Sequence, residues 1–108
     1  MTKEIIERSS GNVFADIGVD DADGMFAKAK LASAILDVIE HRKLTQHQAA
    51  KILGTDQAYI SKLKRGSELR RFTFDRLMNW LTKLDLNVIV RVKRKTRSQE
   101  SAAIQVDV

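Results

Sequence analysis

From Phe26 onward apolar residues recur at spacings of three and four: Ala29, Ala32, Ile35, Val38 and Ile39, with Leu31 and Leu36 widening the stripe. That period predicts a long helix with one buried face. Asp20, Asp21 and Asp23 offer a cap and an acidic first turn at its start, and Arg42-Lys43 supplies positive charge at its end, both favourable to the helix dipole. Thr45-Gln46-His47-Gln48 then reads as a capping box. The Thr45 hydroxyl accepts from the Gln48 N–H, and the Gln48 side chain reaches back to the Thr45 N–H. A short helix carrying Ala49, Ala50, Ile52 and Leu53 follows and stops at Gly54, which can take positive φ without a Cβ penalty.

Asp56 is the next cap, opening a third helix over Gln57 to Arg65 with Ile60 and Leu63 facing inward and Gly66 closing it. Beyond a polar stretch from Ser67 to Arg71, Thr73 caps a fourth helix with Phe74, Leu77, Met78, Leu81 and Leu84 along one side. The period then changes to two. Leu86, Val88, Val90 and Val92 alternate with Asn87, Ile89, Arg91 and Lys93, which predicts a half-buried strand. On this reading residues 1–19 are an arm able to dock through Phe14, residues 20–85 a helical domain, 86–94 the strand, and 95–108 a flexible tail.

A chain of 108 residues suits one domain, not two. It has no Cys, which excludes disulfides, Cys-ligated zinc and a thiol nucleophile. No run approaches the roughly 18 apolar residues of a membrane helix, and the first ten residues lack a secretion-signal core, so the expected location is cytoplasmic, at the nucleoid when bound to DNA. Charge sharpens the picture. Residues 1–40 hold four Lys or Arg against eight Asp or Glu, whereas residues 41–95 hold fourteen against four, a local surplus of +10. A surplus of that size is the footprint of a phosphate-binding surface, although charge alone is equally compatible with a solvated basic face.

Geometry favours the first of those readings, with a helical hairpin used only for packing as the alternative. Gln46 to Arg65 reads QHQAAKILGTDQAYISKLKR, the layout of a helix-turn-helix, with small Ala50 where the helices cross, Gly54 in the turn, and Ala49, Leu53, Ile60 and Leu63 at core positions. A large side chain at Ala50 would push the helices apart, and a β-branched one at Gly54 would resist positive φ.

Leu44-Thr45-Gln46, Leu53-Gly54 and Ile60-Ser61 make the chain resemble the lambda-repressor-like (Xre/Cro) family of DNA-binding regulators over about residues 25–84. The wider string from Gly11 to Gly18, the long helix, Ser61 to Gly66, Phe72 to Leu77 and the terminal valine strand resembles a narrower branch, the HigA-like antitoxins and related small Xre regulators. The resemblance implies a mainly α fold, a helix-turn-helix bundle of four main helices with one C-terminal β-strand. Where such proteins end the fourth helix with Leu-Gly, this chain has Leu84-Asp85, and Asp enters the left-handed region less readily.

The resemblance also assigns roles. In related phage repressors the first two residues and the sixth of the second helix touch bases, which carries over to Gln57, Ala58 and Lys62, with Tyr59 and Ser61 beside them. Gln57 can pair with adenine, Lys62 can reach guanine O6 and N7, and Ala58 can offer a methyl to thymine. Tyr59 either stacks on the sugar-phosphate backbone or covers the helix pair. Gln46 matches the position that holds a phosphate, Thr45 joins it as a backbone contact, and Lys43, Lys64, Arg65, Arg70 and Arg71 are the charged backbone contacts. For Arg70 and Arg71 a solvated loop pair is an equal reading, and Lys51, Arg76 and Lys83 are expected to face solvent.

The implied partners are a palindromic DNA operator, a second copy of the chain and a RelE-like toxin protein, with Val88, Ile89, Val90 and Val92 on the strand serving dimer or partner pairing. The implied function is autorepression within a toxin-antitoxin pair; a stand-alone repressor and a protein-interaction adaptor are the alternatives. An enzyme finds little support. There is no phosphate-cradling Gly-rich loop with Lys and no GxSxG motif, and His41 and His47 read as surface residues. Asp20 to Gly24 resembles a calcium loop only faintly, because Val19 and Lys30 would fall at its end ligand positions. No catalytic residue, metal or cofactor is assigned.

Overall fold

The computed structural model describes residues 21–108; the arm expected over residues 1–19, and Asp20 with it, lies outside them. Among the described residues four α-helices follow in order, α1 (Ala22–His41), α2 (Gln46–Leu53), α3 (Gln57–Arg65) and α4 (Phe74–Lys83), with a 3-10 turn at Leu69–Arg71. The starts of α2, α3 and α4 are set by the caps expected for them. Thr45 Oγ1 accepts from Gln48 N at 3.0 Å while Thr45 N donates to Gln48 Oε1 at 2.8 Å. Asp56 Oδ1 accepts from Tyr59 N at 3.1 Å, and Thr73 Oγ1 accepts from Arg76 N at 3.1 Å. α1 differs: Asp21 precedes it in the left-handed region (φ 53°) with no side-chain capping bond, leaving Asp23 as the acidic residue of the first turn.

The helix ends share one device. After α1, Leu44 N donates to Ile39 O and Lys43 N to Glu40 O, with Lys43 at φ 54°; after α4, Leu86 N donates to Leu81 O and Asp85 N to Thr82 O, with Asp85 at φ 67°. These paired bonds satisfy the last carbonyls by passing the chain through a left-handed residue. Asp85 therefore performs the turn that glycine performs in the related pattern, at the cost of Cβ crowding. Asp85→Gly is expected to stabilise the fold by up to about 1 kcal/mol, raising the thermal midpoint by several degrees. An unchanged or lowered midpoint in a circular-dichroism melt would contradict this.

The core lies where α1 crosses α4 and α3 and is closed by α2. Ile35, Leu53, Ile60, Leu63, Phe72, Leu77 and Leu84 are fully buried, joined by Leu31, Ala32, Ile39, Ala49, Ala50 and Leu81. Three positions add to the sequence reading. Ile52 is 42 % exposed, because burial of Ala49, Ala50 and Leu53 turns its side of the short helix outward. The stretch expected to be wholly polar contains Leu69, whose 3-10 turn tucks it under the bundle beside Phe72. Trp80 is also core, on the inward face of α4. Lys83, expected to face solvent, donates to Leu53 O at 3.1 Å and so ties α4 to the end of α2; Arg42 donates to Leu84 O at 2.7 Å and ties α1 to the end of α4.

Residues 86–94 form no strand among the described residues. Leu86 and Val88 begin the expected alternation, half-buried against the core, but it ends there: Ile89, Val90 and Val92 are 82, 73 and 92 % exposed. A ladder needs a second strand, and the described chain supplies none. Further on, Thr96 and Gln99 close a turn, and the tail returns to α1, where Lys30 Nζ donates to Val106 O at 3.1 Å and Val106 packs on the core.

Candidate nucleic-acid interface

The site is built by two short helices held at a fixed angle. Ala49 and Ala50 are buried at the crossing of α2 on α3, where any larger side chain would separate them. Gly54 takes φ 71° and Thr55 N donates to Ala50 O at 2.9 Å, so the chain reverses within two residues and α3 begins at Gln57. Ile60 and Leu63, each 1 % exposed, face inward and fix the rotation of α3 about its axis. What remains outside follows from the helical period.

Gln57, Ala58 and Tyr59 are exposed at the first turn of α3, and Ser61 and Lys62 are half-buried beside them. The structure thus brings together on one face the residues expected to read bases. Lys64 and Arg65 are exposed at the C-terminal end of α3, where their charge also favours the helix dipole. Arg70 and Arg71 are exposed in the 3-10 turn, and Arg71 Nε lies 3.9 Å from Glu68 Oε1, a long and open pair worth little in stability. At the other edge Lys43 and Thr45 are exposed and Gln46 is half-buried at the first residue of α2. The Thr45 hydroxyl is already engaged in the capping box, so the free backbone N–H groups of the first turn and Gln46 are what α2 offers an anion.

Val88 is half-buried, while Ile89, Val90 and Val92, which follow α4, are exposed. Two residues outside the expected set also matter. Arg76 of α4, expected to face solvent, places its guanidinium 5.1 Å from the Tyr59 ring centroid. Phe72 backs the same ring edge-on at 6.2 Å. Neither was readable from the spacing of one helix, because each reaches Tyr59 from a different element. His41 and His47 are both exposed. Among the described residues no three His, Asp or Glu side chains converge so as to hold a metal ion, and no helix is long and apolar enough to cross a membrane.

A family model described as a helix-turn-helix domain matches residues 13–93. A solved chain described as belonging to the XRE family of transcriptional regulators is 38 % identical and superposes with a TM-score of 0.72, over 82 % of this chain and 98 % of its own. A search of curated proteins gives no match. With the match spanning the four helices and the solved relative aligned over nearly its whole length, the chain belongs to the XRE helix-turn-helix family of transcriptional regulators.

Proposed function

We propose that the protein is a sequence-specific repressor that lays α3 in the DNA major groove. The carrying observation is that α3 turns Ile60 and Leu63 inward and Gln57, Ala58, Tyr59 and Lys62 outward, within the segment of charge +10. A helix so rotated offers hydrogen-bonding and apolar groups to base edges, while Lys43, Gln46, Lys64, Arg65, Arg70 and Arg71 neutralise phosphates along its flanks. Gln57 pairs with adenine, Lys62 with guanine, and the Ala58 methyl contacts thymine.

Lys62→Ala is expected to weaken operator binding by about 1 to 3 kcal/mol and to relax preference at one base pair, whereas Arg65→Ala weakens all sequences alike. Titration against an operator selected from random duplexes checks both. Unchanged binding by both variants would remove α3 from the interface.

One α3 reads too few base pairs for useful specificity, so the working form is a two-fold dimer on two half-sites about one helical turn, or a multiple of it, apart. The exposed Ile89, Val90 and Val92 support residues 86–94 as the pairing segment, since apolar side chains and open backbone groups at an edge call for a partner. The second copy takes that edge in our reading and the protein represses its own promoter. An acidic partner is the competing occupant, because Arg91, Lys93 and Arg94 would repel their copies near a two-fold axis. In the toxin-antitoxin reading a RelE-like toxin takes that edge and the chain is its antitoxin. Val90→Pro removes a ladder donor and is expected to give a folded monomer in analytical ultracentrifugation. A folded variant that stays dimeric would place the dimer contact on the helices or the arm.

A further inference from the structure

Tyr59 stands where three elements meet. Its ring is 37 % exposed, rests edge-on against buried Phe72 at 6.2 Å, and has Lys62 Nζ at 5.2 Å and Arg76 Cζ at 5.1 Å from its centroid. Phe72 in turn meets Trp80 edge-on at 5.7 Å, so the ring is fixed from behind by two buried aromatics. Both distances lie within the range in which a cation is drawn to an aromatic face. Lysine and arginine otherwise lose considerable rotamer freedom when a ligand orders them. Here part of that ordering is present before any ligand arrives.

The pairing has a second consequence. Two cations share one ring, and among the described residues neither has a carboxylate partner, the recorded ion pair being Arg71 with Glu68. A phosphate reached by Arg76 offsets the charge that the two bring to the ring. Lys62 belongs to α3, but Arg76 belongs to the first turn of α4, outside the helix-turn-helix. We propose that Tyr59 is a positioning residue that aims Lys62 at its base and carries Arg76 onto a DNA phosphate, extending the interface from α3 to α4. This rests on the reading of α3 as the recognition helix.

The test uses the full chain and an operator selected from random duplexes, with affinity measured across a range of salt concentrations. Arg76→Ala is expected to weaken all sequences about 5- to 10-fold. It should also reduce the slope of log K against log salt by about 0.9 per phosphate, hence about 1.8 for a two-fold dimer. Tyr59→Phe keeps the ring and should remain within about twofold of the parent, since cation attraction resides in the π face. Tyr59→Leu should lose the Arg76 share of the slope and the discrimination at the base pair read by Lys62, and adding Arg76→Ala to it should lower the slope no further. A merely structural role for the ring would lower the melting point without moving slope or discrimination.

An unchanged slope in Arg76→Ala overturns the proposal, as does a folded Tyr59→Leu that keeps both properties. Should Tyr59→Leu fail to fold, exposed Arg76 still decides through its own variant. The two readings fail separately: base preference unaltered by Gln57→Ala and Lys62→Ala overturns the recognition-helix assignment, whatever Arg76→Ala does.

Discussion

Phe72→Ala is expected to cost about 3 to 5 kcal/mol, the largest loss of any single truncation in the fold. The ring is 1 % exposed and lies between Trp80 at 5.7 Å and Tyr59 at 6.2 Å, both edge-on, in a stretch that carries the chain from α3 to α4. Truncation removes its transfer free energy, leaves a cavity between two aromatic neighbours, and forfeits two favourable ring contacts. Total stability for a domain of this size is about 5 to 15 kcal/mol, so the variant sits near the edge of folding at 37 °C. Urea unfolding followed by circular dichroism checks this, with Phe72→Leu as the milder companion. A loss below about 1 kcal/mol would mean that the bundle closes over the gap and that Phe72 does not hold the α3 to α4 connection.

Ala50→Leu is expected to have the largest effect on binding. Ala50 is 4 % exposed at the crossing of α2 on α3, and the added branched side chain has no space to enter without moving one helix. Overpacking of this kind costs about 1 to 3 kcal/mol, which a folded chain can survive. The recognition geometry cannot. A shift of α3 by about 1 Å takes Gln57 and Lys62 out of hydrogen-bond register with base edges, where distances must stay near 2.7 to 3.2 Å. Operator binding should fall at least about 100-fold while weak, salt-sensitive binding to any duplex persists, because the Lys and Arg side chains remain. Ala50→Gly, which costs about 1 kcal/mol in helix propensity, should keep the operator preference. A folded Ala50→Leu with parental preference would show that the angle between α2 and α3 does not control readout.

These two sites differ in how well the bare sequence announced them. Ala50, Gly54 and the caps at Thr45, Asp56 and Thr73 act through neighbours three or four residues away, so local pattern suffices, and the helix starts agree with the structure. Phe72 and Leu69 were hidden by polar neighbours in a short irregular segment. The available signal was their spacing of three, but other elements bury them: the 3-10 turn that carries Leu69 packs on α1, and Phe72 lies between Tyr59 and Trp80. Ile52 is apolar yet lies outside, because Ala49, Ala50 and Leu53 take the narrow contact face of an eight-residue helix. Long side chains were least legible. Lys83 and Arg76 have exposed positions on α4, and where their ends come to rest depends on Leu53 and Tyr59, which belong to other elements. The alternation from Leu86 to Val92 was readable as a period, yet a ladder needs a second strand and the described residues hold none.

Asp85 is a case in which a departure from a related pattern left the geometry intact. The residue adopts φ 67° and both bonds of the helix-ending motif form, so the chain still leaves α4 toward Leu86 and the core. The difference lies in energy and not in direction, and for that reason Asp85→Gly tests it through stability alone.

The most direct measurement for the central claim is a missing-contact experiment with guanine-methylated operator. Lys62 is assigned to guanine O6 and N7, and methylation at N7 places a methyl group in the major groove at that contact. For the parent protein, methylation of one guanine in each half-site should block binding. For Lys62→Ala, methylation at that same guanine should no longer matter, while interference at every other position is unchanged. Identical interference patterns for the two proteins, or binding by the parent that tolerates methylation of every guanine, would contradict the placement of α3 in the major groove with Lys62 on a base.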